Sequence, residues 1–259
     1  MYATERHALI ERLIAQEGRV RVVDLARRFE VTTETVRRDL GLLEEAGALR
    51  RVHGGAVPVD GASTVEPSLA DRRRRHASAK AAIASRALDA VAPGFRGSIF
   101  FDAGSTTAAV AAELATRLPG APIDVVTHAL PIAHTIASVS NVALTLIGGR
   151  LRGLTAAAVG SGTVRAIESL RPDVAFVGTN GVSAGFGFST PDPEEAAVKS
   201  AIVRAARRVV VVTDAEKLDR ELLVSFADLS EIDVLVTDAA PEEPLAAALA
   251  EADVEVWLT

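Results

Sequence analysis

Apolar positions in the first fifty residues recur with a helical period. Leu9, Ile10, Leu13 and Ile14 put an apolar stripe on a helix over 4–16, and Val23, Leu25, Ala26 and Phe29 do the same over 22–29. A third helix starts after Val31. There Thr32 or Thr33 can cap free amides, Glu34 suits the positive end of the helix dipole, and Gly47 supplies the stop. Val36, Leu40 and Leu43 repeat at i, i+4 and i+7 as its buried face, so Thr35, Arg38 and Leu42 turn elsewhere with Arg37 flanking them. Residues 48–52, followed by His53-Gly54-Gly55, read as a short strand pair. The order of short helix, turn, capped basic helix and basic hairpin predicts a winged helix-turn-helix domain over 1–57. Its expected contacts with double-stranded operator DNA are Thr33, Thr35, Arg37 and Arg38 on the third helix, and Arg50, Arg51 and His53 on the wing.

Residues 58–67 (Pro-Val-Asp-Gly-Ala-Ser-Thr-Val-Glu-Pro) carry turn formers and no apolar period, and a linker is expected over 58–70. A single helix is predicted over 69–91, stopped by Pro93-Gly94, with Arg72 to Arg75 in its first turns as a solvated or interdomain ion-pair cluster. From Ser98 onward short apolar runs alternate with helical patterns. Strands are predicted at 99–101, 123–126, 142–147, 174–177, 209–212, 234–236 and 254–257, and helices at 106–117, 130–138, 164–170, 194–207 and 244–251. That alternation predicts an open, mostly parallel α/β domain over 71–259. Ligands of such sheets bind where strand ends meet helix starts.

Asp102-Ala103-Gly104-Ser105-Thr106-Thr107 stands at one such junction, with free amides and three hydroxyls suited to a phosphate monoester. It lacks the further glycines of a dinucleotide loop and the lysine of a P-loop, so neither NAD nor ATP is favoured and no cofactor is expected. Gly148 to Arg152, Gly178 to Gly181 with Glu195 and Lys199 beyond, and Thr213 to Lys217 stand at similar ends. Arg152, Lys199 and Lys217 are the cations that could meet an anion.

The formal net charge of −6 argues against a polyanion partner until the chain is divided. Residues 1–80 hold 15 Lys and Arg against 12 Asp and Glu, whereas 81–259 hold 13 against 22. The basic part is the part predicted to meet DNA. No cysteine occurs, and His7, His53, His76, His128 and His134 show no ligand spacing, so no metal site is expected. No export signal or membrane span is read in the chain, and a cytoplasmic protein is expected.

Arg6, Ile10, Ile14, Thr32, Thr35, Val36, Arg37, Arg38, Asp39 and Leu40, with the wing Arg-Arg-Val-His-Gly-Gly-Ala over 50–56, resemble the N-terminal signature of the DeoR family of bacterial sugar-operon regulators. The four later segments resemble that family's sensor domain, which implies the fold of ribose-5-phosphate isomerase and a phosphorylated sugar as effector. On the resemblance, Asp102 and Gly104, Ser105, Thr106 and Thr107 form a phosphate loop. Asn180 and Gly181 form the sugar-side turn, and Glu195, Lys199, Asp214 and Lys217 a polar wall, with Thr127, Gly149 and Arg152 beside them. Thr127-His128-Ala129 and Gly160-Ser161 depart from the family's usual Thr-Asn-Ser (or Thr-Asn-Asn) and Gly-Pro.

An enzyme is the alternative from another class. Glu195 and Lys199 could supply the carboxylate and cation of a sugar-phosphate isomerase, but the turn 178–181 has no carboxylate where the isomerases carry one. With no catalytic residues assigned, the expectation is a repressor of a sugar operon, acting as a homodimer or homotetramer and released by a sugar phosphate. Residues 1–6 and 31–40 resemble fructose-operon repressors of high-GC Gram-positive bacteria, which favours fructose 1-phosphate; another sugar or polyol pathway is the alternative within the class.

Overall fold

The computed structural model describes residues 3–17, 20–46, 48–52, 54–58, 64, 66–92, 94–117, 122–140 and 142–259. It divides into two compact units, Met1–Val65 and Glu66–Thr259. Among the described residues, no helix is long and apolar enough to cross a membrane.

The first unit runs α1 (Ala3–Glu17), β1 (Val20–Arg21), α2 (Val22–Phe29), α3 (Thr33–Glu45), β2 (Leu49–Val52) and β3 (Gly55–Pro58). The three helices lie where the apolar period puts them. Ile10, Leu13 and Ile14 of α1, Leu25 and Phe29 of α2, and Val36, Leu40 and Leu43 of α3 share one buried cluster. The expected strand pair is present, with Leu49 opposite Pro58 and Val52 opposite Gly55, and β1 adds a third strand on the far side of β3. β1 is two residues long and has no period to read. It forms because Gly55 lets the backbones close up: a Cβ at Gly55 would stand 2.0 Å from the Val20 carbonyl oxygen. Gly47 and His53 lie outside the described residues.

The second unit opens with α4 (Leu69–Arg74) and α5 (Ala77–Ala87), two helices where one was expected. The break falls at His76, whose backbone is left-handed (φ 52°), and the Lys80 amine holds the freed carbonyls of Arg72 and Arg75. There follow β4 (Ser98–Phe101), α6 (Ser105–Arg117), β5 (Ile123–Thr127), α7 (Leu130–Ile136), β6 (Val142–Leu146), β7 (Arg150–Arg152), β8 (Ala157–Val159), α8 (Ser161–Glu168) and β9 (Val174–Gly178). The chain then continues through β10 (Gly181–Ser183), β11 (Gly187–Thr190), α9 (Pro193–Ala205), β12 (Val209–Val212), β13 (Val224–Ala227), β14 (Val234–Thr237), α10 (Leu245–Glu251) and β15 (Glu255–Leu258).

The seven strands expected from the apolar runs form one parallel sheet in the order β15-β14-β12-β9-β4-β5-β6. Alternate residues serve its two faces. Ile99, Phe101, Val210 and Val212 join the core under α5, α6 and α7, while Phe100, Val209 and Val211 join the core under α8, α9 and α10. Antiparallel β10-β11-β13 and the hairpin β7-β8 were not expected; at three to four residues each they are too short to show alternation.

The strand order sets the crevice. From β4 the chain winds outward through β5 to β6, then returns to β9 on the other side of β4, so the direction of winding reverses between β4 and β9. Helix and loop connections diverge there and leave the strand C-termini uncovered.

Candidate functional site

In the first unit the groups that could meet DNA are carried on α3. Its N-cap is Thr32, whose hydroxyl accepts the Thr35 amide at 3.2 Å. Thr33, Arg37 and Arg38 are exposed and Thr35 is half-buried, so the four predicted residues of this helix lie off its buried stripe. Arg37 is loosely paired with Glu34 at 3.4 Å, and Arg50 is exposed on β2. Arg51 is held instead: its amide and Nε donate to the two oxygens of Glu44 at 2.8 and 2.6 Å, which fastens the wing strand to α3.

Asp39 lies on the same apolar stripe as Val36 and Leu43 and is buried. Arg6 Nε and Nη2 donate to it at 2.5 and 3.0 Å, and His7 Nε2 stands 2.9 Å away. Burial acts to raise its pKa, but the hydrogen bonds and charges of Arg6 and His7 prevail and hold it below the carboxylate range. The pair locks α1 across α3, a structural duty that the family signature did not distinguish from DNA contact.

In the second unit Asp102 follows β4 and Gly178 ends β9, the two lips of the crevice. The carboxylate of Asp102 is fully buried. Lys199 Nζ from α9 donates to Oδ2 at 2.5 Å and to the Gly178 carbonyl at 2.8 Å, and the Gly178 amide donates to Oδ2 at 3.0 Å. Burial alone would raise this carboxyl; the Lys199 charge and the His128 hydrogen bond overcome it and hold the pKa at about 2. His128 Nδ1 donates to the Ala158 carbonyl at 2.8 Å. Nε2 then sits 3.2 Å from both the Ala103 amide and Asp102 Oδ1.

Over this floor lies a pocket that is partly open to solvent. Gly104, Ser105 and Thr106 line it at the N-terminus of α6, where helix amides lack internal partners. Asn180, Glu195, Lys199, Asp214 and Lys217 line it as well, so the structure gathers eight of the fourteen predicted effector residues around one space. The remaining six lie outside that lining. Asp102 is the buried anchor just described. The Thr107 hydroxyl donates to Gly104 O at 3.2 Å and that of Thr127 to Phe101 O at 2.8 Å, so both brace the loops. Gly149 and Gly181 are packing glycines, whose Cβ atoms would stand 2.0 Å from Thr163 Oγ1 and 2.4 Å from Arg220 O.

Arg152 is the sixth. It is engaged by three carboxylates, Glu66 at 2.7 Å, Asp192 at 3.1 Å and Glu195 at 3.2 Å, and therefore orders the wall rather than offering free charge. Glu195 also accepts the Thr155 hydroxyl. Its pKa is raised, by burial first and by the Glu66 charge second.

The sequence gives no reading of Glu66, Lys80 and Thr155 as site residues, and Arg72 is read there only within a solvated or interdomain ion-pair cluster. For Lys80 a signal existed: it continues the Ile83, Ala84 and Ala87 stripe of α5, and a lysine on an apolar face needs partners. It is buried against the Arg72 and Arg75 carbonyls with Asp214 at 3.8 Å, and burial lowers its pKa.

The sequence matches the model of the DeoR-like helix-turn-helix domain over residues 6–61 and that of the DeoR C terminal sensor domain over 75–239. The chain belongs to the DeoR family. DeoR-family relatives align over nearly the whole length. The glycerol-3-phosphate regulon repressor of Escherichia coli K12 is 32% identical over 93% of each chain. The HTH-type transcriptional regulator GlpR of Haloferax volcanii is 36% identical over 92% of this chain and 91% of its own. The uncharacterized HTH-type transcriptional regulator FruR of Bacillus subtilis 168 is 31% identical over 92% of each. These are named as regulators, and the isomerase alternative is set aside: this is a DNA-binding transcriptional regulator. Among solved structures, ribose 5-phosphate isomerase A of Methanocaldococcus jannaschii overlaps 54% of this chain and 53% of its own at 18% identity with a TM-score of 0.38. The α/β fold class rests on the strand order above.

Proposed function

We propose that this DeoR-family protein represses a sugar or polyol operon and leaves its operator when a phosphorylated metabolite, fructose 1-phosphate first among candidates, fills the second unit's pocket. The observation that carries the reading is the convergence of the α6 N-terminus, Lys199, Lys217 and Asn180 on one pocket at the point where the sheet reverses its winding. Helix amides and lysines suit a phosphate, and Glu195, Asp214 and Asn180 suit sugar hydroxyls. In the DNA-binding unit Arg37 and Arg38 read base edges while Arg50 and the wing contact phosphates. A homodimer or homotetramer multiplies the reading heads, since one short helix gives little specificity. Names of relatives support the class and divide on the metabolite, one pointing to glycerol 3-phosphate.

Operator binding decides it. Fluorescence anisotropy with the gene's own upstream DNA at fixed salt is titrated with fructose 1-phosphate, fructose 6-phosphate, sn-glycerol 3-phosphate and fructose. Release by a phosphate ester and not by fructose is expected. Tight binding indifferent to all four would remove the sugar-phosphate reading.

A further inference from the structure

Most cations around the pocket are already committed. Lys199 holds Asp102 and the Gly178 carbonyl, and Lys80 holds two carbonyls of the α4–α5 break. Arg72 differs. Its Nη1 lies 2.8 Å from Glu66, while its Nε and Nη2 are buried with no hydrogen-bond partner. Those two nitrogens form one edge of the planar guanidinium, the edge that donates two parallel N–H bonds to a carboxylate or phosphate. Burying charged donors without acceptors is costly, and such a group marks an absent partner. Arg72 lines the pocket with Gly104 and Ser105, and α4 packs against α6. The open guanidinium edge and the α6 N-terminus thus both suit an anion in this pocket.

Glu66 occupies the other side of the same guanidinium. Its carboxylate is 1% exposed and also accepts Arg152, which is itself tied to Asp192 and Glu195. Glu66 is the first residue of the second unit, where the chain arrives from the first.

We propose that Arg72 binds the effector's phosphoryl group, giving two N–H bonds from its Nε–Nη2 edge, and that its Nη1 links this grip to Glu66 and so to operator affinity. The inference rests on the pocket being a phosphate-ester site. The guanidinium is rigid, so drawing one edge onto a phosphate moves the nitrogen that holds Glu66. Ligand occupancy is then coupled to the position of Glu66, the first residue of the second unit.

The test uses the full chain and its operator. Calorimetric titration with fructose 1-phosphate, sn-glycerol 3-phosphate and inorganic phosphate is run on the wild type and on Arg72→Gln, Arg72→Lys and Glu66→Gln, with thermal unfolding of each. Arg72→Gln should weaken the ester that binds the wild type by roughly 10- to 100-fold, and Arg72→Lys by about tenfold, because charge remains without the fork. Glu66→Gln should keep ester binding while the ratio of operator affinities without and with ester falls toward one. A wild type that binds no phosphate compound removes the sugar-phosphate reading, and the inference with it. Arg72→Lys or a folded Arg72→Gln binding within twofold of wild type overturns the inference and leaves that reading standing. A Glu66→Gln protein with the wild-type affinity ratio overturns the link to operator affinity.

Discussion

Lys199 Nζ lies 2.5 Å from Asp102 Oδ2 although the residues are 97 positions apart, and both side chains are at least 95% buried. The pair ties α9 to the end of β4 and forms the floor on which the loop into α6 rests. Replacing Asp102 by Asn leaves the Lys199 ammonium buried without its anion. Loss of one partner from a buried pair costs about 3 to 5 kcal/mol. Urea unfolding of Asp102→Asn should show that loss, and adding Lys199→Met should recover part of it. Equal stability of Asp102→Asn and wild type would deny the pair its structural role.

Two carboxylates give opposite slopes of stability against pH. Asp102 is depressed from 3.8 to about 2, so its contribution is complete above about pH 4 and is lost as pH falls through about 2. Glu195 is raised above 4.5, so the folded state binds its proton more tightly than the unfolded chain. It therefore weakens the fold at neutral pH, and this penalty is relieved as pH falls through its raised value toward 4.5. Unfolding free energies from pH 4.5 to 7 should decline less steeply with rising pH in Glu195→Gln than in wild type. Identical slopes would show that Glu195 titrates alike in both states.

Asp39 joins α1 to α3 through Arg6 and His7. Asp39→Asn removes the charge that both partners face and should cost the first unit about 1.5 to 3 kcal/mol, the range for charged hydrogen bonds. Circular dichroism melting monitors it. Operator affinity should fall with helix order and return at lower temperature, unlike the loss from a base-contacting residue.

Arg38→Ala should weaken operator binding by about 1 to 3 kcal/mol and relax preference at one base pair. Arg50→Ala should weaken all sequences alike and lower the salt slope by about one. Anisotropy at several salt concentrations separates the two patterns. Unchanged affinity of Arg38→Ala at fixed salt would remove α3 as the reading helix.

The apolar period by itself determined the three N-terminal helices, the seven parallel strands and the junctions where Asp102, Gly178 and Asp214 stand. These features depend on neighbours a few residues apart, and burial of an alternating or 3.6-period stripe is a local demand. Charged residues on those stripes, Asp39 and Lys80, were legible as residues in need of partners, but the partners were not. Tertiary structure alone decided that Arg152 is consumed by three carboxylates, that Gly149 and Gly181 are packing positions, and that Arg72 keeps one edge free beside Glu66. The physical reason is that whether a charge is spent or available depends on which groups the strand order 15-14-12-9-4-5-6 brings within hydrogen-bond distance. Groups 40 to 97 positions apart carry no local pattern that records the meeting.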